Sequence, residues 1–257
     1  MHSKDMKVTF LGTGTSHGIP MIGCDCEVCT STNPKNHRTR SSVIVEVNEK
    51  NLLIDTTPEF RIQILRENIR RIDSVLFTHA HADHIFGLDD IRRFNDLSGT
   101  SIYCYGNEET LKTIRRAFDY VFVPTQIGGG KPSLELVPVD GPFETEGVEI
   151  IPIPIMHGRL KILGYRIGDF AYITDCSSLP DSSADLLLNL DTLVLGVLRP
   201  QPHETHFSVS EGLAVVEKLQ PNRTFFTHIS HRLEYRHTND VLPPNVQLAY
   251  DGLQISF

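Results

Sequence analysis

The sequence contains no apolar stretch long enough for a signal peptide or a membrane-spanning helix. We therefore expect a cytoplasmic protein that does not act at a membrane. Basic residues are also in the minority, since 24 Lys and Arg face 32 Asp and Glu and the formal net charge is -8. This balance argues against a protein that coats nucleic acid with a broad basic surface, so nucleic acid is not an expected partner.

No internal repeat and no linker-like segment divides the 257 residues. The hydrophobic fraction of 40% is ordinary for a globular protein. Strand-like segments predominate, with a few helices between groups of strands and without the strict alternation of a barrel. The sequence predicts one α/β domain over residues 1–257, with a small cysteine-rich loop near residues 24–29.

A glycine-rich turn follows the first predicted strand, residues 7–11. Gly12, Gly14 and Gly18 superficially resemble the dinucleotide-binding fingerprint, but the third glycine comes one residue too late. Pro20 and a cysteine cluster follow where that fingerprint requires a helix. The spacing therefore excludes a Rossmann-type nucleotide site.

Two helices are predicted from their apolar spacing, at residues 58–70 and 208–219. Ser208 or Ser210 is available as the N-cap of the second helix.

Two arginines, Arg38 and Arg40, precede the predicted hairpin at residues 42–47 and 51–55. Either arginine could meet a phosphate group, but a solvated surface position is the more ordinary expectation for each alone.

The strongest chemical signal is the run His79-Ala80-His81-Ala82-Asp83-His84, directly after a predicted strand at residues 74–78. Imidazole and carboxylate are ligands that zinc- and manganese-class ions prefer. A tight loop at the end of a strand can direct alternate side chains toward two neighbouring ions. Three of the 12 histidines lie within these six positions beside an aspartate, which argues against a chance surface cluster.

A second cluster consists of Cys24, Cys26 and Cys29. Cytoplasmic thiols stay reduced, so clustered cysteines more often indicate a metal than a disulfide. Three thiols supply three quarters of a structural zinc site, and His231 is our choice for the fourth ligand. A redox-active or merely reduced trio remains the alternative, because the spacing is not the doubled C-x-x-C pattern.

The histidine-rich run resembles the metal-binding motif of the metallo-β-lactamase superfamily. The further residues that match this family in order are Asp55, His157, Asp175 and His228, each at the end of a strand-like run. Taken singly, His157 could be an ordinary loop histidine and Asp175 could cap a turn. The resemblance spans nearly the whole chain and implies an αββα sandwich of two mixed β-sheets flanked by helices.

The resemblance also implies two divalent metal ions, manganese or zinc, in one active site. The first ion would be held by His79, His81 and His157. The second would be held by Asp83, His84 and His228, and Asp175 would bridge the two.

The early cysteine cluster, His231 and the terminal Tyr250-Asp251-Gly252 are similar to the PhnP-type phosphodiesterases, which open a phosphoribosyl 1,2-cyclic phosphate. In that subfamily the three cysteines and the last histidine hold a structural zinc. The resemblance implies a dinuclear phosphodiesterase that cleaves small cyclic phosphodiesters by attack of a metal-bridged hydroxide. It also implies a small-molecule phosphodiester as the partner, and it suggests a homodimer.

Asp175, Asp83 and His206 are the expected catalytic residues. Asp175 would orient the metal bridge. His206 falls where the subfamily places an extra active-site histidine, and it is a candidate general acid because imidazole titrates near working pH. His203 is a close alternative for that position, and an exposed loop histidine is an equally ordinary explanation of His206.

Two other functions stay open. A ribonuclease Z-like RNA phosphodiesterase would use the same seven ligands, but the negative charge and the absence of an obvious basic arm speak against it. A non-catalytic metal-binding scaffold of the same fold is the second alternative, which the complete ligand set disfavours. Lactonase and thioesterase chemistry ranks lower.

Overall fold

The computed structural model describes residues 6–124 and 130–257. The strands are β1 (Lys7–Gly12), β2 (Ser42–Val47), β3 (Lys50–Ile54), β4 (Ser74–Leu76), β5 (Ile102–Gly106), β6 (Leu134–Pro138), β7 (Phe143–Thr145), β8 (Val148–His157), β9 (Leu160–Ile167), β10 (Phe170–Ile173), β11 (Thr192–Arg199), β12 (Phe207–Ser208), β13 (Arg223–Thr227), β14 (Val246–Leu248) and β15 (Gln254–Ser256). The α-helices are α1 (Phe60–Arg66), α2 (Ala82–Ile85), α3 (Arg92–Ser98), α4 (Glu108–Ala117), α5 (Asp119–Phe122), α6 (Asp181–Asp185), α7 (Val209–Leu219) and α8 (Tyr235–Val241). Short 3-10 helices occupy Pro34–Asn36 and Leu88–Ile91.

The strands form two mixed sheets. The first has the order β15-β1-β2-β3-β4-β5-β6, and its strands from β3 to β6 run parallel. The second has the order β14-β13-β11-β10-β9-β8-β7, with β12 beside β11. In this sheet β10, β11, β13 and β14 run parallel. The parallel segments of both sheets carry the polar strand ends described below.

Side chains that alternate along the strands divide between two cores, as the period of a β-strand requires. In β2, Val43 and Val45 face the core between the sheets, whereas Ile44 faces the helices outside. In β13, Phe225 points to the inner core and Phe226 to the opposite face. Because both faces of each sheet are covered, the sequences of these strands are almost continuously apolar.

The helices lie on the outer faces of the two sheets. Residues of α1, α3 and α4 share an apolar cluster with the outer face of the first sheet. Residues of α6 and α7 share another with the outer face of the second sheet. The αββα sandwich that the family resemblance implies is confirmed by this layering.

A side-chain cap begins α7, and a left-handed residue follows the end of α1; both helices are predicted from the sequence. Ser208 caps α7: its hydroxyl accepts a hydrogen bond from the Glu211 amide, and its own amide donates to the Glu211 carboxylate at 2.8 Å. The prediction of a helix over residues 58–70 was too long. The chain ends α1 at Arg66 in a Schellman motif, with Asn68 in the left-handed region at φ 54°.

The expectation that Arg38 is a solvated surface residue was wrong. Its side chain is among the largest fully buried ones, with 1% of the residue exposed. Arg40 is partly buried and forms an ion pair with Glu59. Sequence alone could not show this, because the two backbone carbonyls that accept hydrogen bonds from its guanidinium lie 192 and 195 positions away along the chain.

Among the helices in the described ranges, none combines the length and apolar character needed to cross a membrane.

Replacement of the α7 cap provides a test of this local account. We expect Ser208→Ala to lower the free energy of unfolding by about 1 kcal/mol, because the amide of Glu211 loses its acceptor. Ser182→Ala, at an exposed position in α6, is the control and should change stability by less than about 0.5 kcal/mol. Urea denaturation followed by circular dichroism measures both. Equal effects of the two substitutions would contradict a capping role.

Candidate metal centres

The carboxyl ends of five strands bring the candidate ligands together. Asp55 follows β3 and His79 lies just beyond β4, which runs parallel to β3. In the second sheet, β8 is antiparallel to β9 and β9 is antiparallel to β10, so β8 and β10 point the same way. His157, Asp175 and His228 therefore end β8, β10 and β13 at one edge, where open α/β sheets commonly bind ligands.

Three of these strand-end residues have left-handed backbone conformations. The φ angles are 64° for Asp55, 52° for Asp175 and 56° for His228. Such conformations are uncommon outside glycine and cluster at functional sites. They turn the chain sharply out of the strand and direct each side chain into the shared cleft. Gly196 makes room for one of them, because a Cβ there would lie 2.9 Å from the amide nitrogen of Asp175.

His79, His81 and His157 form the first candidate ligand group. Their ligand nitrogens all lie within 4.8 Å of one another. The imidazole of His157 donates a hydrogen bond from Nδ1 to the backbone carbonyl of Thr205 at 2.8 Å, which leaves Nε2 as its free ligand atom. This arrangement fits one metal ion bound by three imidazoles.

Asp83, His84, Asp175 and His228 form the second group, whose ligand atoms also lie within 4.8 Å of one another. The short helix α2 places Asp83 and His84 side by side, with the His84 Nε2 atom 3.3 Å from the Asp83 carboxylate. Among the described residues, the Nε2 atoms of His84 and His228 are buried without a hydrogen-bond partner. Buried polar atoms are rarely left unpaired, and a bound cation would satisfy both.

Asp175 lies between the two groups and turns one carboxylate oxygen toward each. Its Oδ1 atom is 3.4 Å from Nε2 of His84 and 3.3 Å from Nε2 of His228. Its Oδ2 atom is 3.8 Å from Nε2 of His79. The geometry is that of a carboxylate able to bridge two ions.

Electrostatics at this edge favour a bound cation. Burial alone would raise the pKa of Asp175, but the imidazoles of His228 and His84 lower it well below its usual value. Burial opposes the charged form of His84, yet the surrounding carboxylates of Asp175, Asp83 and Asp55 raise its pKa well above the usual value. The same carboxylates would attract a divalent cation to this edge. The residues present fit a dinuclear metal site.

Asp55 orients two of the ligand histidines, a role that the sequence did not reveal. One of its oxygens accepts a hydrogen bond from Nδ1 of His84 at 2.7 Å. The same oxygen accepts from the Thr78 hydroxyl at 2.7 Å, and that hydroxyl lies 3.0 Å from Nδ1 of His79. Both histidines therefore present Nε2 to the cleft, as carboxylate–histidine pairs do in metal sites. Only the fold joins Thr78 and Asp55, since they lie 23 positions apart.

The structure places His206, and not His203, against the ligand groups. The ring centroid of His206 lies 4.8 Å from that of His157 and 4.9 Å from that of His228. His203 lies behind it, with 5.2 Å between the centroids of the two rings. Burial first, and then the neighbouring imidazole of His228, lower the pKa of His206 to about 3. The ring is therefore neutral at pH 7 unless an anion binds beside it.

The three clustered cysteines and His231 converge on a second location. The Nδ1 atom of His231 lies 3.2 Å from Sγ of Cys24, 3.4 Å from Sγ of Cys26 and 3.7 Å from Sγ of Cys29. Ordinary zinc–sulfur and zinc–nitrogen bonds place the ligand atoms of a tetrahedral site about 3.5 Å apart. The three thiols are not joined in disulfides. The set fits one structural zinc ion, and His231 is where the sequence analysis placed it.

Comparison with known proteins identifies relatives of this chain. A model of the beta-lactamase superfamily domain matches residues 50–229, which is more than half of the chain. A solved structure described as a new diphosphatase from the PhnP family has 45% sequence identity and a TM-score of 0.93, and the match covers 98% of this chain and 97% of that one.

Two further relatives match this chain by sequence. An octanoyltransferase of Porphyromonas gingivalis is 35% identical over 255 residues, covering 97% of this chain but 51% of the relative. The chain thus spans about half the length of that protein. A ribonuclease Z of a Picosynechococcus species is 27% identical over 168 residues, covering 63% of this chain and 47% of the relative.

The orienting role of Asp55 can be tested by metal binding. We expect Asp55→Asn to weaken binding of manganese or zinc at the dinuclear site by roughly 10–100-fold, because His79 and His84 lose the group that fixes their rings. Asp73→Asn is the control, since this carboxylate lies at the opposite end of β4 and pairs with Lys50 and Arg71. Isothermal titration of metal-free protein measures both. Unchanged affinity in Asp55→Asn would contradict the role.

Proposed function

Because the chain belongs to the beta-lactamase superfamily and, within it, to the PhnP family of hydrolases, we propose that it is a dinuclear metal-dependent phosphodiesterase that acts on small phosphodiesters. One observation carries the proposal. Seven imidazole and carboxylate ligands from the strand ends of both sheets meet in two groups, with Asp175 between them. The similarity to a diphosphatase supports chemistry at phosphorus.

Two divalent ions bound to these residues would supply Lewis acidity, which lowers the pKa of water and neutralises charge on phosphoryl oxygens. His79, His81 and His157 would hold one ion, and Asp83, His84 and His228 the other. Asp175 would fix the separation of the two groups, because its two oxygens face different ligand sets. Mutual positioning of this kind accounts for much of the catalysis of phosphoryl transfer.

His206 stands beside the place where a phosphoryl group would bind. As a neutral imidazole it can donate one hydrogen bond to a substrate oxygen. An anionic phosphoryl group beside it would raise the pKa of the ring, since a nearby opposite charge favours the protonated form. Only in that complex would His206 serve as the proton donor to the departing oxygen.

A cavity of about 300 Å³ adjoins this site and suits a small anionic molecule. Its lining residues include Arg199, Arg232, His17, His206 and Ser16. No carboxylate from the described residues lines it. In a chain of formal net charge -8, this local excess of positive groups attracts an anion to the metal site.

A ribonuclease Z-like activity on RNA is the second candidate, and the match to a ribonuclease Z supports it. The net negative charge and the small cavity favour the small-molecule substrate instead. The octanoyl transfer in the name of another relative is not proposed, because about half of that relative lies outside the match. Cleavage of a transfer-RNA precursor would distinguish the two candidates.

Hydrolysis of bis(p-nitrophenyl) phosphate by manganese-loaded protein tests the proposal. We expect metal-dependent release of p-nitrophenolate, and we expect Asp175→Ala to lower kcat by at least about 100-fold while the protein stays folded, because the two ligand groups lose their shared carboxylate. Asp181→Ala removes an exposed carboxylate and should leave the rate unchanged. Wild-type-like turnover by Asp175→Ala would contradict the proposal.

The role of the cationic cavity can be tested with phosphoribosyl 1,2-cyclic phosphate. We expect Arg232→Met to raise KM for this substrate by about two- to fivefold with little change in kcat, as loss of one exposed charge contact does. The effect should shrink at high salt. Arg236→Met alters an exposed arginine that lines a different cavity and serves as the control. Equal KM values for the two variants would show that the cavity does not bind the substrate.

A further inference from the structure

The loop at residues 228–233 carries one candidate ligand of each metal site. His228 belongs to the dinuclear group, and His231 completes the cysteine site. The first part of the loop is joined to neighbouring strands, since the Ile229 amide donates to the Thr13 carbonyl at 2.9 Å and the Ser230 amide to the Leu198 carbonyl at 2.9 Å. After Ser230 the chain leaves the sheet, so another group must hold the segment that contains His231.

The buried guanidinium of Arg38 contacts the backbone on both sides of His231. Its Nη1 atom donates to the Ser230 carbonyl at 3.3 Å, and its Nη2 atom donates to the Leu233 carbonyl at 2.9 Å. Nη2 also donates to the side-chain oxygen of Asn36 at 3.2 Å. These two carbonyls lie one residue before and two residues after His231, so Arg38 spans the turn that aims its ring.

The polar network around Arg38 also reaches the cysteine loop. The side-chain amide of Asn36 donates to the Ser31 hydroxyl, two positions after Cys29. It also donates to the carboxylate of Glu234, which directly follows the 228–233 loop. Arg38 itself exchanges two backbone hydrogen bonds with Ile19, each of 2.8 Å, at the start of the segment that carries the cysteines. One buried arginine therefore joins the two halves of the cysteine site through backbone and side chain together.

Stability alone does not account for this arginine. Its side chain donates only to carbonyl and amide oxygens, and among the described residues its Nε atom has no hydrogen-bond partner. Burial lowers the pKa of the guanidinium to about 10, and the carboxylates of Asp251 and Glu234 counter that effect only in part. A buried charge whose direct partners are neutral costs free energy, and apolar replacements of buried ions often stabilise a protein. An apolar replacement would lose the hydrogen bonds from Arg38 to the 228–233 loop.

We propose that Arg38 is a positioning residue for the cysteine site: it holds the backbone on both sides of His231 and thereby sets where His231 presents its ligand nitrogen to the three thiols. This inference rests on the proposed metal ligands.

Cobalt binding tests the proposal, because a cobalt–thiolate absorption band reports the cysteine site separately from the ligand field bands of the histidine sites. The variant is Arg38→Met, which keeps an unbranched apolar stem and removes the guanidinium donors. We expect cobalt to bind the cysteine site roughly 10–100-fold more weakly than in the wild type, because His231 loses the group that fixes its backbone. Arg40→Met, the matched control two residues away, should bind cobalt as the wild type does.

The possible results distinguish a wrong ligand assignment from a wrong role for Arg38. A wild-type protein without the thiolate band would contradict the ligand assignment, and the inference with it. A wild-type band that Arg38→Met reproduces at equal cobalt affinity would overturn the inference alone, even if the variant unfolds at a lower temperature. If Arg38→Met does not fold, Arg38→Lys keeps the charge and one donor. In that variant, weakened thiolate binding in a folded protein supports the proposal and unchanged binding overturns it.

Discussion

The buried carboxylate–imidazole cluster at the carboxyl edge of the two sheets is the constraint on which the rest of the structure depends. Asp55, Asp83 and Asp175 lie within reach of His84, away from solvent, where unpaired charge is costly. The fold tolerates this cluster because strand ends hold the residues rigidly and because the charges offset one another. Divalent cations held by these residues would neutralise the carboxylates more fully, which explains why the site fits metal ions.

The fold supplies that edge by topology and not by any single element. Parallel strands from both sheets end side by side, and left-handed residues turn the chain away from each strand at Asp55, Asp175 and His228. Asp55 then fixes the rings of two histidines, and Thr205 fixes a third. The residues that orient the ligands come from loops far apart in sequence, so the geometry of the ligand groups depends on the packing of both sheets.

Some residues of the site could be predicted from the sequence, whereas other features required the structure. The histidine run could be recognised from local pattern and residue chemistry, whereas His157, Asp175 and His228 were identified through the resemblance to the metallo-β-lactamase superfamily; the structure brings them together. His231 was selected from sequence as the fourth ligand of the cysteine cluster, and the structure brings it to the three thiols. Boundaries were less accurate: the helix predicted at residues 58–70 ends earlier because Asn68 adopts a left-handed conformation, which asparagine permits but does not require.

Contacts between distant segments were not readable. Arg38 looked like a surface residue because its carbonyl partners lie in a loop 192 and 195 positions away. The choice between His203 and His206 likewise needed the position of the loop relative to His157 and His228. Side-chain chemistry identifies the groups that can bind a metal, whereas the fold determines which of them meet.

The number of metal ions bound per chain tests the central claim most directly. Elemental analysis of protein purified with manganese and zinc in the medium should give three ions per chain, and Cys26→Ser should lose one of them and keep the other two. We predict that two of these ions bind where the strand ends of both sheets meet and one at the cysteine cluster. A wild-type protein that is saturated by a single ion would contradict it.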